Sequence, residues 1–218
     1  MTSDIAFLDP AVASYLSAHT TAPTEIEQRL IDTTQAMPAA QMQIGFPQAR
    51  FMALLARILQ PKLVVEIGVF TGYSALVVAQ ELAEDATLLA CDISDEWTSI
   101  GKPYWAEAGV ADRIDLRIGR AGNTLAELPA GTQVDMAFID ADKTGYQGYL
   151  EQLIPMLHER SVVLVDNVLW DGQVVDEADD TEDTVALRAF NDAMLADPRV
   201  DVALLPIGDG LSMITLAR

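Results

Sequence analysis

A single cysteine, Cys91, stands among 218 residues, so no internal disulfide can form, and no cluster of cysteine and histidine marks a zinc site. Lysine is scarce, with Lys62, Lys102 and Lys143 the three examples. Lysine and arginine together number 13 against 33 acidic residues, a formal charge of -20 that argues against nucleic acid or anionic membranes as partners. Most of that charge reads as a solvated acidic surface. No apolar run is long enough to cross a bilayer, and Met1-Thr2-Ser3-Asp4-Ile5 lacks the basic start and apolar core of a signal peptide. These absences set the expectation of a soluble cytoplasmic protein.

What is present is hydrophobic and evenly spread. Half of the residues are apolar, which excludes a largely disordered chain and, at this length, predicts one α/β domain over residues 1–218. Residues 1–45 read as an N-terminal extension, helical over residues 1–40 and punctuated by Pro10, Pro23 and Pro38. Within it Pro23-Thr24-Glu25-Ile26-Glu27 opens a helix with Ile26, Leu30 and Ile31 at helical spacing, an extra layer or a dimer contact. Residues 42–44 read as loop and 48–59 as helix. Strands are predicted at 63–67, 87–92, 114–118, 134–139 and 161–165, alternating with helices at 73–82, 96–108, 121–128 and 146–157. Such alternation implies right-handed βαβ units and a parallel sheet with helices on both faces. After a loop at 171–180 and a helix at 184–195, two more strands at 200–205 and 211–216 flank Pro206-Ile207-Gly208-Asp209-Gly210, a hairpin signal that adds an antiparallel strand at the sheet edge.

Two of the strands end abruptly in polar groups. Phe138-Ile139-Asp140-Ala141-Asp142-Lys143 and Leu164-Val165-Asp166-Asn167-Val168 place Asp140, Lys143, Asp166 and Asn167 at the carboxyl ends of the sheet, where open α/β folds bind ligands. Three hard oxygen donors suit Mg²⁺, Ca²⁺ or Mn²⁺, and a neighbouring amine suits a base, a pattern that points to metal-assisted chemistry on a hydroxyl. The bland alternatives are helix capping by the two aspartates and a surface ion pair of Lys143 with Asp142.

A second cluster follows the first strand. Glu66-Ile67-Gly68-Val69-Phe70-Thr71-Gly72-Tyr73-Ser74 carries glycines that let the backbone turn sharply and approach a ligand, but its spacing matches neither the dinucleotide fingerprint nor a P-loop. Asp92 ends the next strand, 24 residues past Gly68, where a carboxylate can accept both hydroxyls of a ribose. It could equally cap the following helix, as could Ser94 or Asp95. Glu66 sits inside an apolar run and needs a partner. S-adenosylmethionine, with an amino group and a sulfonium, would supply one. His19 and His158 do not look catalytic, and Trp97, Trp105 and Tyr149 read as packing.

From Met42 onward these residues resemble a known family, the cation-dependent O-methyltransferases that include the caffeoyl-CoA and catechol O-methyltransferases, in their bacterial form. The resemblance rests on several separate motifs in order: Met42-Gln43-Ile44, Glu66 to Leu76, Tyr104-Trp105-Ala106-Glu107-Ala108-Gly109, Phe138 to Lys143, Asp166-Asn167-Val168-Leu169-Trp170 and Leu204 to Gly210. It implies a Rossmann-like class I methyltransferase fold, a seven-stranded sheet with the last strand antiparallel, in a homodimer. It also implies that Asp140, Asp166 and Asn167 bind the divalent metal and that Lys143 is the base. Glu66, Gly68, Val69, Ser74, Asp92 and Ala121 would line the S-adenosylmethionine site, closed by Met42 and the edge of Asp140. Lys143, Asn167 and Trp170 would lie at the acceptor. Ala49, Arg50, Arg120 and Asp171 depart from the residues common in the family and leave the acceptor open.

The resulting expectation is methyl transfer to one hydroxyl of a vicinal diol on an aromatic ring, a catechol-type small molecule. Seven carboxylates between Asp171 and Asp183 make a polyanionic CoA thioester less attractive than a small neutral catechol. The rival readings are a Mg²⁺-dependent hydrolase or phosphotransferase, a nicotinamide-dependent oxidoreductase, and a cofactor-binding module without turnover.

Overall fold

A computed structural model describes residues 9–218; the helical expectation for residues 1–8 lies outside them. The extension contains α1 (Pro10–Ala18), opened by the Asp9 side chain, and α2 (Glu25–Gln35). Thr24 Oγ1 accepts from Glu27 N while Glu27 Oε2 accepts from Thr24 N, a reciprocal cap that satisfies two of the helix's orphan donors. Met42 ends a short 3₁₀ turn, Ala40–Met42, where a loop is expected, and α3 (Phe46–Leu59) follows.

The alternation then runs β1 (Leu63–Ile67), α4 (Tyr73–Ala79), β2 (Thr87–Asp92), α5 (Asp95–Glu107), β3 (Ile114–Ile118), α6 (Ala121–Ala126), β4 (Met136–Ile139), α7 (Tyr146–Leu153), β5 (Val162–Val165), α8 (Glu182–Ala196), β6 (Val200–Leu205) and β7 (Leu211–Leu216). The helix predicted at 146–157 breaks after Leu153 into a 3₁₀ turn, Ile154–Met156, because Pro155 has no N–H to donate to the α-helical ladder. The loop expected at 171–180 is partly wound as well, with Trp170–Val175 forming a kinked 3₁₀ segment.

The seven strands lie in the order β3-β2-β1-β4-β5-β7-β6, and β7 alone runs antiparallel, between β5 and β6. The strand order reverses between β1 and β4, the place where such sheets open a ligand crevice. The central strands are buried on both faces, with side chains alternating between them. Val64, Leu88, Met136 and Leu164 meet α2, α3 and α4, whereas Val65, Leu89, Ala137 and Val163 meet α6, α7 and α8. This two-sided burial explains why β1, β4 and β5 read as near-continuous apolar runs, and why Glu66 is conspicuous among them.

Candidate active site

The crevice has two halves, one on each side of the β1–β4 boundary. On the first, the chain leaves β1 through Gly68, at φ 92°, and reaches α4 through Gly72, at φ 80°. Phe70 also takes a left-handed conformation, at φ 51°, a strained choice for an aromatic residue. Asp92 braces this turn: its Oδ2 accepts from Val69 N at 2.8 Å and Phe70 N at 2.9 Å, and its Oδ1 accepts from Ser94 N at 2.8 Å. Ser94, through Trp97 N, is what caps α5. Trp105 packs beneath the turn and donates from Nε1 to the Gly72 carbonyl at 3.0 Å, while Trp97 meets Phe70 edge-on. Ala121, buried, opens α6 beside β2 and β3.

Glu66 is the unbalanced group here. Its side chain is buried, and Ser74 Oγ donates to it at 2.5 Å from the first turn of α4. Burial pushes the carboxyl up to about 8, and the negative charges of Asp140 and Asp92 push the same way. Among the described residues no lysine or arginine pairs with it. A cationic ligand group would meet an acceptor whose protein neighbours supply no positive charge.

The second half gathers Asp140, Lys143, Asp166 and Asn167. Lys143 does not pair with Asp142 at the surface. It is buried, and Nζ donates to Asn167 Oδ1 at 2.6 Å, Tyr146 OH at 2.7 Å and Asp140 Oδ1 at 3.0 Å. Tyr146 OH in turn donates to the Asp166 carbonyl at 3.1 Å, and burial holds its phenol well above the ordinary range, so it remains protonated. Asp166 Oδ1 accepts from Asn167 N at 2.7 Å, and Oδ2 accepts from Gln48 Nε2 at 2.6 Å. Burial and the charge of Asp140 lift the Asp166 carboxyl to about 7, with Gln48, the Asn167 amide and Lys143 acting in the opposite direction. Asn167 stands at φ 56°, a conformation asparagine tolerates, and Trp170 at φ 49°, which a bulky residue rarely adopts. The Trp170 ring lies 5.5 Å from Lys143 Nζ.

The loop bearing Trp170 is held from two sides. Asp209, in the β6–β7 turn, accepts from Asp171 N at 2.6 Å through Oδ1 and from Leu169 N at 3.1 Å through its carbonyl. Arg188 of α8 donates to the carbonyls of Gln173, Val174, Asp176 and Asp179, so its charge is spent on backbone inside the acidic stretch. Met42, half exposed, lies at the end of its 3₁₀ turn just ahead of α3, the helix that carries Gln48.

Gln48, Tyr146, Asp209 and Arg188 escaped the sequence reading. Gln48 had a signal: it shares the buried stripe of α3 with Met52 and Ala56, four and eight residues on, and a polar group there implies a buried partner. Asp209 and Arg188 had none, because their partners are main-chain atoms, which leave no residue-type signature in a sequence.

The O-methyltransferase family model matches residues 16–218. The chain belongs to the O-methyltransferase family. It is an S-adenosylmethionine-dependent O-methyltransferase of the caffeoyl-CoA and catechol type, which decides against the phosphotransferase and nicotinamide readings. A probable caffeoyl-CoA O-methyltransferase 2 of Dictyostelium discoideum is 39% identical over 210 residues, covering 94% of this chain and 91% of the relative. Among solved structures, a SAH-bound methyltransferase of Podospora anserina superposes with TM-score 0.86 at 28% identity, covering 95% of this chain and 94% of that one. An O-methyltransferase of Bacillus cereus in complex with SAH gives TM-score 0.85 at 25% identity, covering 95% and 97%.

Proposed function

We propose that this methyltransferase acts on one hydroxyl of a catechol-type small molecule, with a divalent cation (Mg²⁺, Ca²⁺ or Mn²⁺) held by Asp140, Asp166 and Asn167. The observation that carries the reading is Lys143: a buried amine bonded to the side-chain oxygens of Asp140 and Asn167, beside the Asp166 strand end. The donor set fits the ion. Two carboxylates and one amide oxygen are hard donors, and burial together with the charge of Asp140 raises Asp166 despite the nearby Lys143. Among the described residues no three His, Cys, Asp or Glu side chains converge; the third proposed ligand is the amide of Asn167, whose Oδ1 meets the same Lys143 Nζ as Asp140 Oδ1. When bound, the cation supplies the positive charge that favours the ionised form of an acceptor hydroxyl.

The remaining roles belong to the chain. In its neutral form, with one of its three hydrogens released to solvent and the bond to Asp140 given up, Lys143 Nζ receives the proton of the acceptor hydroxyl, while Tyr146 OH and Asn167 Oδ1 hold that amine in place. Trp170 and Asn167 bound the acceptor. Glu66, Gly68, Val69, Ser74, Asp92, Ala121, Met42 and the edge of Asp140 hold the methyl donor, with the Glu66 carboxylate matched to its positive charge. Alignment of the acceptor oxygen with the donor methyl supplies much of the acceleration.

We place this activity in one domain of a cytoplasmic homodimer. The acidic composition and the lack, among the described residues, of any helix long and apolar enough to cross a membrane support the first part. The second part rests on the resemblance to the family.

The decisive experiment is methyl transfer from labelled S-adenosylmethionine to caffeic acid with Mg²⁺ and with excess EDTA. Product only with metal supports cation-dependent transfer to a catechol. Activity that survives EDTA overturns the cation, and SAH binding without turnover on any diol returns the chain to the silent-module reading.

A further inference from the structure

Gln48 is 3% exposed and Asp166 is 2% exposed, and the bond between them, at 2.6 Å, joins α3 to the end of β5. In the ionised form that would meet a cation, the Asp166 carboxylate only accepts, so the Nε2 end of the amide faces Asp166 and Oε1 faces away. Oε1 lies against the β6–β7 turn, where a β-carbon on Gly208 would stand 2.1 Å from it. The amide is thus seated against a turn that leaves space for it because residue 208 is glycine. Two residues along α3, Arg50 pairs with buried Glu27 at 2.9 Å and anchors the helix to α2.

On the other oxygen, Asn167 N donates to Asp166 Oδ1. Each carboxylate oxygen thus accepts one protein donor, and rotation of the group would break both bonds. A neutral amide orients the carboxylate without cancelling its charge, whereas a lysine or arginine at the same place would compete with a metal for it.

We propose that Gln48 is a positioning residue of the cation site, locking Asp166 in the orientation in which it meets the metal. The inference rests on the cation dependence proposed above. Hydrogen-bonding partners of ligating carboxylates typically change metal affinity by about 10–100-fold when removed.

The test is Mn²⁺ titration of the metal-free protein, without donor or acceptor, followed by the electron paramagnetic resonance of free Mn²⁺. Gln48→Met keeps the bulk and removes the donor; Gln48→Asn keeps an amide but falls one methylene short of Asp166, and carries the test where the Met variant does not fold. The expected result is Mn²⁺ binding weakened at least about tenfold, with SAH affinity by calorimetry unchanged. Unaltered Mn²⁺ affinity in the folded variant overturns the proposal, and so does an equal loss of SAH affinity, which would mark a general structural role. Failure of the wild-type protein to bind Mn²⁺ overturns the cation reading itself, and is told apart because it does not depend on Gln48.

Discussion

Gly68 is packed directly against the main chain of Asp140: a β-carbon added to the glycine would stand 1.8 Å from the Asp140 carbonyl oxygen. The turn assigned to the methyl donor and the strand end assigned to the cation thus share one wall. Gly68→Ala must move that wall and also places a β-carbon at φ 92°. A strained backbone position alone costs about 1–3 kcal/mol. We expect a lower melting temperature and a marked loss of SAH affinity, measured by thermal denaturation and calorimetry.

Lys143→Met should lower turnover by about 10²–10⁴-fold, the span usual for loss of a general base. SAH affinity should be largely retained, because Asp140 is the one contact of Lys143 shared with the donor half, and Asn167 and Tyr146 lie on the cation side. Turnover near the wild-type rate would remove Lys143 from the mechanism.

Glu66 makes the ligand-free protein sensitive to pH. Its carboxyl lies near 4.5 ordinarily and about 8 in the folded state, so between those values the folded form binds a proton that the unfolded form has released. Stability should therefore fall as pH rises through that window, by on the order of a few kcal/mol. Glu66→Gln should flatten the decline in a series of thermal melts from pH 5 to 8; an equally steep decline in the variant contradicts the assignment.

Adding metal should stabilise the fold even without substrate. A ligand at about 100 times its dissociation constant contributes about 2.7 kcal/mol. A rise in melting temperature with Mn²⁺ that vanishes in Asp166→Asn is the expected pattern, and a rise that persists would place the ion elsewhere.

Arg188 ties the Trp170 loop to α8 through four main-chain carbonyls, a pattern that needs the forked guanidinium. Arg188→Lys should raise the KM for the acceptor and speed hydrogen exchange over residues 170–181, leaving SAH affinity intact. An unchanged acceptor KM would show that the loop's position does not depend on this brace.

Much of the architecture was legible because its signals are local. Runs such as Val64-Val65 and Val162-Val163-Leu164-Val165 are apolar at every position, as strands buried on both faces must be, and Thr24 with Glu27 announces a helix start within four residues. Asp140, Lys143, Asp166 and Asn167 stood out for the same reason, since polarity appears abruptly where a buried strand meets the crevice. Helix ends are less legible: Pro155 is plain in the sequence, but apolar periodicity continues past it to Leu157 and hides the change from α to 3₁₀ winding.

Asp92 illustrates the limit. A carboxylate at the end of β2 fits a ribose or a cap from sequence alone, and the structure shows a third use, bracing Val69 and Phe70, two residues more than twenty positions earlier in the chain.

The sequence by itself determined the strands, the helices and the chemical kinds gathered at the sheet's carboxyl edge, because periodicity and burial act on neighbouring residues. Only the tertiary structure decided that β7 enters between β5 and β6, that Lys143 turns inward to Asn167, and that Gln48 reaches Asp166 across 118 positions. Those contacts join segments far apart along the chain, and a hydrogen bond depends on distances of a few tenths of an ångström that the packing of two faces on one twisted sheet sets.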